Sequence, residues 1–166
     1  AAASRDISRI ANIMPPLGLA SIAAYLEQHG FSATMVDCYA RPDSDRAIRD
    51  HLLAERPAFL GLSCTTATFL DGVRIAKMAK AELPGLRVVF GGPHVSAMKD
   101  KVLQDFPAVD FVVVGEGEET LRELLTAGPL ETEHVRGLVT RAEDGEVHFT
   151  GHRETLRPAL TMGATW

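Results

Sequence analysis

The sequence predicts an α/β fold built on a doubly wound parallel sheet, and three observations carry that prediction. Leu86-Arg87-Val88-Val89-Phe90 and Val109-Asp110-Phe111-Val112-Val113-Val114 are largely continuous apolar runs rather than alternating ones. Such runs mark parallel strands covered on both faces. Both end in glycine turns, Gly91-Gly92-Pro93-His94 and Gly115-Glu116-Gly117-Glu118, which lead into helical sequence. Elsewhere, strand-like and helix-like segments alternate. In sheets of this kind ligands bind beyond the carboxyl ends of the strands, where these turns lie. Glycines there let a large ligand approach the backbone closely.

Residues 1 to 14 offer only Ile7, Ile10, Ile13 and Met14 among polar neighbours, a spacing that suits a loop or irregular helix. A doubly wound sheet normally opens on an apolar strand before its first helix. Either that strand lies upstream of residue 1, or residues 7 to 13 are a weak substitute that fills the gap. Pro16 then opens a helix to about His29, closed by Gly30, with Leu19, Ile22, Ala23 and Leu26 at helical spacing. Phe31 to Tyr39 reads as a strand, with Met35 and Val36 near its core. Arg46 to Glu55 is a helix capped by Asp43 or Ser44. Phe59-Leu60-Gly61-Leu62-Ser63 is a short buried strand, and Thr68 to Leu83 a helix stopped by Pro84-Gly85. The two glycine-ended strands follow, separated by a helix around Lys99 to Asp105. The last core helix covers Glu118 to Leu125.

After Gly128-Pro129 the pattern changes. Two short apolar stretches, 135–141 and 146–150, flank Glu143-Asp144-Gly145, a hairpin signal. The division expected is an α/β domain over 1–128, then a β-hairpin and linker over 129–166.

Composition narrows the function. A net charge of -5 without a basic stripe argues against a nucleic-acid footprint. The apolar stretch Ile10 to Leu26 is broken by Pro15-Pro16 and continues into Glu27-Gln28-His29-Gly30, so it reads as a helix and not a membrane segment. Two cysteines and no targeting signal fit a cytoplasmic protein. Cys38 and Cys64 close strands two spacings apart, about 9 to 10 Å, too far for a disulfide. They read as free thiols or small core residues.

Individual residues divide between structural and ligand-facing readings. Pro16, Leu17 and Gly18 suit a rigid helix entry and a ligand contact equally well. Gly91, Gly92 and Pro93, at a strand end, favour a ligand over a bare tight turn. His94 has no partner at metal-ligand spacing and reads as a rim residue; no metal site is expected. Glu116 is a candidate ligand contact, whereas Glu118 and Glu119 read as favourable charges in a first helical turn. Asp37 ends a strand, yet no Gly-x-Gly-x-x-Gly precedes it to support dinucleotide binding.

Taken in order, several stretches resemble the N-terminal cobalamin (B12)-binding domains of B12-dependent radical S-adenosylmethionine (SAM) enzymes. They are Pro15-Pro16-Leu17-Gly18-Leu19 with Ala23-Ala24-Tyr25-Leu26, Gly30 with Val36-Asp37, Gly61-Leu62-Ser63, Gly91-Gly92-Pro93-His94 and Gly115-Glu116-Gly117-Glu118. Val135-Arg136-Gly137-Leu138 and Asp144-Gly145 look like the family's linker hairpin. The set spans roughly residues 15 to 153. It is most similar to the branch of anaerobic magnesium-protoporphyrin IX monomethyl ester cyclases and methyltransferases.

The resemblance implies a flavodoxin-like (Rossmann-like) cobalamin-binding fold with an appended C-terminal hairpin. Gly91, Gly92, Gly115 and Gly117 would leave a platform open for the corrin. Ser63, Thr65 and Thr66 would hydrogen-bond the nucleotide tail. In a sheet ordered 2-1-3-4-5 these three turns lie together. Two departures qualify what is implied. None of the six histidines lies in an Asp-x-His-x-x-Gly motif, so cobalamin would bind without that histidine as lower ligand. No Cys-x-x-x-Cys-x-x-Cys triplet is present to hold the parent enzyme's [4Fe-4S] cluster. The chain is therefore expected to be a binding module, not catalytic alone, working with a barrel domain that binds SAM. A dimer is also compatible. The rival readings are a flavodoxin-like electron carrier or nucleotide-binding domain, and a response-regulator-like signalling domain. The first lacks a phosphate loop after a first strand, and the second lacks clustered acidic strand ends.

Overall fold

The computed structural model describes residues 16–37, 44–142 and 144–153. The elements in order are α1 (Leu17–Gln28), α2 (Ser44–Glu55), β1 (Phe59–Ser63), α3 (Phe69–Glu82), β2 (Arg87–Gly91), α4 (Pro93–Met98), α5 (Asp100–Asp105), β3 (Phe111–Val113), α6 (Glu118–Ala127), β4 (Leu138–Arg141) and β5 (Val147–Phe149). The strands form one sheet in the order β1-β2-β3-β4-β5. β1, β2 and β3 are parallel, and β4 and β5 are each antiparallel to the strand before.

The apolar runs make these strands central because they cover both faces. Val88, Phe90 and Val112 point to one face and join Ile48 and Leu52 of α2, Val73 and Ala76 of α3, Val95 of α4, and Val102 and Leu103 of α5. Val89, Phe111 and Val113 point to the other and meet Leu124 of α6. Helices on both faces define the doubly wound fold. Val88, Phe90 and Val112 are fully buried, each contributing about 1.5–3 kcal/mol of transfer free energy. At the amino end of β2 and β3, Asp110 ties the strands together. Its carboxylate accepts the Val88 N–H at 2.7 Å and pairs with Lys80 at 2.7 Å and Arg87 at 3.3 Å.

Several expectations are corrected here. Residues 31–37 form no strand, although Val36 still packs against the core. A strand needs a ladder neighbour. In the expected strand order that neighbour comes from residues 1–14, which lie outside the described residues, as do Cys38, Asp43 and Glu143. Pro16 caps α1 rather than entering it. The helix expected around Lys99 to Asp105 is α5, and a second short helix, α4, precedes it; Lys99, with a positive φ of 47°, keeps the two from joining. The hairpin continues the main sheet through the pairs Val112–Val139 and Val113–Leu138. Leu138 and Val139 are fully buried there, so apolar packing explains why the hairpin docks on β3.

Candidate functional site

Parallel pairing aligns the strand ends. Ser63 lies opposite Gly91, and the Cys64 N–H donates to the Gly91 carbonyl at 2.9 Å. The turns after β1, β2 and β3 therefore share the carboxyl edge of the sheet, as the expected order of neighbouring strands requires.

The four glycines expected to form a platform divide into two kinds. A Cβ on Gly91 or Gly115 would meet nothing within 4 Å, although Gly115 holds a φ of +87° that itself favours glycine. A Cβ on Gly92 would lie 2.6 Å from the Cys64 carbonyl oxygen, and Gly92 has a φ of +106°. Gly92 is thus required by backbone approach and conformation, so a bulky residue there disturbs the turn itself. A Cβ on Gly117 would come within 3.0 Å of Ile22 Cδ1, so this glycine makes room for α1.

The hydroxyls divide as well. The Thr65 N–H donates to Thr68 Oγ1 at 3.0 Å, and the two threonine oxygens lie 3.2 Å apart. Thr65 is committed to closing its own turn. Thr66 Oγ1 lies 3.2 Å from His94 Nδ1, which bridges the first and second turns. The His94 ring also packs on Phe69 at a 4.7 Å centroid distance. Ser63 is exposed and its hydroxyl has no partner among the described residues. Pro93 opens α4, exposed. Glu116 is exposed in the third turn. Ser96, which sequence reasoning missed, accepts the Gly115 N–H at 3.2 Å and joins the second turn's helix to the third turn. No local pattern announces it, since its partner is 19 residues away.

Pro16, Leu17 and Gly18 reach this edge through α1. Ser21 donates to Glu118 Oε1 at 2.9 Å, and the Tyr25 hydroxyl donates to the Glu119 carboxylate. Moving from Tyr25 back to Ser21 moves toward the start of α6, so one further turn carries residues 16–18 past it to the carboxyl side. Leu17 is exposed and Gly18 faces open space. Glu118 and Glu119 are thus docking residues, beyond the first-turn charges expected. Arg122 clamps Glu119 at 2.9 and 2.6 Å. Its bonds, with the Tyr25 hydroxyl's, hold the Glu119 carboxyl down to about 2, and the same contact raises Tyr25. Beneath the turns, burial pushes the free Cys64 thiol up to about 11, so it is a core residue and not a nucleophile.

Among the described residues, no group of three His, Cys, Asp or Glu side chains is placed to hold a metal ion. No described helix is long and apolar enough to cross a membrane. A depression of about 230 Å³ lined by Arg122, Glu123, Thr126, Ala127, Glu131 and His134 follows the far half of α6, away from the three turns.

A family model described as the B12 binding domain matches residues 6–125, a span that includes all three turns. The anaerobic magnesium-protoporphyrin IX monomethyl ester cyclase of Rubrivivax gelatinosus is 30% identical over 149 residues, 86% of this chain and 27% of the cyclase. The cobalamin-dependent radical SAM methyltransferase TokK of Streptomyces tokunonensis is 41% identical over 69 residues, 42% of this chain and 10% of that protein. The chain spans about a quarter of the length of the cyclase. The solved structure of the cobalamin-dependent SAM radical enzyme OxsB, with aqua-cobalamin and SAM bound, shares the fold. Its TM-score is 0.77 at 18% identity, covering 90% of this chain and 21% of OxsB.

Proposed function

The chain belongs to the B12 binding domain family, and from that premise we propose that it is the cobalamin-holding module of a radical SAM enzyme of the methyltransferase or oxidative cyclase type. The carrying observation is the open carboxyl edge. Gly91 and Gly115 present bare backbone to open space, and the exposed Ser63 hydroxyl stands beside Gly91 without a partner among the described residues. A flat macrocycle with a polar tail fits such an edge. Gly91, Gly115 and the α1 entry at Pro16–Gly18 would border the corrin, while Ser63, Thr66 and His94 would meet its tail.

When bound, cobalamin supplies the methyl-transfer or ring-closure chemistry, and the chain's own residues orient it and exclude water. Residues 129–166 would carry the fold toward a barrel domain holding SAM and an iron-sulfur cluster. Relatives about four times as long as the matched segment support that reading. Because no Asp-x-His-x-x-Gly is present, cobalt would have no histidine from that motif beneath it.

Titrating the folded protein with hydroxocobalamin tests this. A change in the visible spectrum and co-elution on gel filtration are expected. Electron paramagnetic resonance of the reduced cob(II)alamin form should then lack coupling to a protein histidine nitrogen. Neither spectral change nor retention, with ligand well above protein, would overturn the reading. Tight binding of flavin mononucleotide instead would move the protein to the electron-carrier class.

A further inference from the structure

The carboxyl edge does not stop at the third turn. β4 starts and β5 ends there, because Leu138 pairs with Val113 and Phe149 with Val139. Just past β5, Lys99 Nζ lies 3.3 Å from His152 Nε2. It also stands 4.9 Å from the centre of the Phe149 ring, which meets His152 edge-on at 5.0 Å. An ammonium has no lone pair, so His152 Nε2 is the acceptor in this contact.

Three features set the cluster apart from ordinary surface charge. Among the described residues no carboxylate pairs with Lys99, in a chain whose net charge is -5. The carboxylate adjacent in sequence is not used, since Asp100 Oδ1 is buried without a hydrogen-bond partner. Lys99 also holds φ 47° and ψ −118°, a conformation that glycine adopts freely and a lysine only under constraint. A second cation, Arg136, donates to the Thr150 carbonyl at 2.6 Å beside the same strand end. The cluster adjoins the site, because Lys99 follows Ser96 by three residues and Ser96 holds the Gly115 amide.

We propose that Lys99 and His152 form an oxyanion subsite at the β5 end of the carboxyl edge, taking a phosphate or carboxylate group of a bound ligand. The oxyanion would replace the imidazole lone pair as acceptor from Nζ, and His152 Nε2, carrying the proton in its other tautomer, would be a second donor. That gives Lys99 the negative partner it lacks among the described residues, over a ring face that tolerates a cation. The group has two possible sources. One is the nucleotide-tail phosphate of bound cobalamin, which rests on the function proposed above; the other is an acidic group on a second molecule.

The test uses Lys99→Gly, which relaxes the backbone while removing the ammonium, and two corrinoids: hydroxocobalamin, and cobinamide, which lacks the nucleotide and its phosphate. The His152 ring resonance should shift on titration with inorganic phosphate in the wild type and not in Lys99→Gly. If the tail phosphate occupies the subsite, the ratio of cobalamin to cobinamide affinity should fall about tenfold in Lys99→Gly. A phosphate response with an unchanged ratio assigns the subsite to a second molecule, and either response supports the proposal. Two results overturn it. One is no phosphate response with an unchanged ratio. The other is a phosphate-induced shift of the His152 resonance that persists undiminished in Lys99→Gly, which would mean that Lys99 takes no part in holding the anion. If wild type binds neither corrinoid, the proposed function falls, and the phosphate titration alone decides the subsite.

Discussion

The two ends of the parallel strands are finished in opposite ways. At the amino end, the Asp110 carboxylate is met by a backbone N–H, Lys80 and Arg87, with only 14% of the side chain exposed. Each of these three charges has an internal partner. At the carboxyl end, Gly91 and Gly115 face open space, Ser63 has an unpartnered hydroxyl, and Lys99 has no carboxylate among the described residues. The same three strands thus end in a closed network on one side and an open polar rim on the other. The first is built for stability, and the second is where we propose the ligand binds. Groups satisfied within the chain have little left to offer a ligand, whereas exposed unpartnered groups can bind one without breaking native contacts.

The sharpest way to break this comparison is Asp110→Ala. It strands Lys80, Arg87 and the Val88 N–H together, so urea unfolding should show a loss of about 2–4 kcal/mol. Cobalamin affinity of the protein that remains folded should not change. A loss under about 1 kcal/mol would mean the amino end is not the anchor described here.

The adjacent glycines sharpen it within a single turn. Gly92→Ala should destabilise by about 1–3 kcal/mol, since it forces a positive φ and a contact with the Cys64 carbonyl. Gly91→Leu should unfold like wild type within about 0.5 kcal/mol. It should nevertheless lose at least about tenfold in hydroxocobalamin affinity, or ~1.4 kcal/mol. If both variants behave alike in denaturation and in titration, the division of the glycines fails.

Acid titration addresses the docking of α1. The Glu119 carboxyl sits at about 2 in the folded protein, below its ordinary 4.5. A depressed carboxylate contributes stability that is fully present above the ordinary value and is lost as pH falls through the folded value. Wild type should therefore lose stability progressively between about pH 4.5 and 2, and Glu119→Gln should show a shallower loss across that window. Urea midpoints measured at intervals from pH 6 downward check this; identical slopes for both proteins would remove Glu119 from the α1 contact.

The smallest effect is expected at Ser63. Ser63→Ala should leave stability unchanged and cost binding about 1 kcal/mol, the worth of one hydrogen bond. An unaltered titration curve would exclude the hydroxyl from the ligand contact.

Much of this was legible in the sequence because it is written in local pattern. Continuous apolar runs marked β2 and β3, helical spacing marked α1, and glycines after strands marked the candidate ligand edge. Those features depend on residues a few positions apart, and the ordered set of motifs pointed to the B12-binding family. What spacing could not reveal were relations between segments distant in the chain. Gly91 and Gly92 look equivalent in sequence, and only the Cys64 carbonyl beneath one of them separates a structural glycine from an open one. Phe31–Asp37 had the composition of a strand, yet strand formation depends on a neighbour to pair with. Glu119 read as a first-turn charge until Tyr25, 94 residues earlier, came against it. Lys99 and His152, 53 residues apart, meet only because β4 and β5 fold back onto β3. Local sequence determined the elements and the edge, by backbone preference and apolar periodicity. Tertiary packing decided which groups on that edge are committed and which are free, because satisfaction of a polar group depends on whatever lies within about 3 Å of it in space.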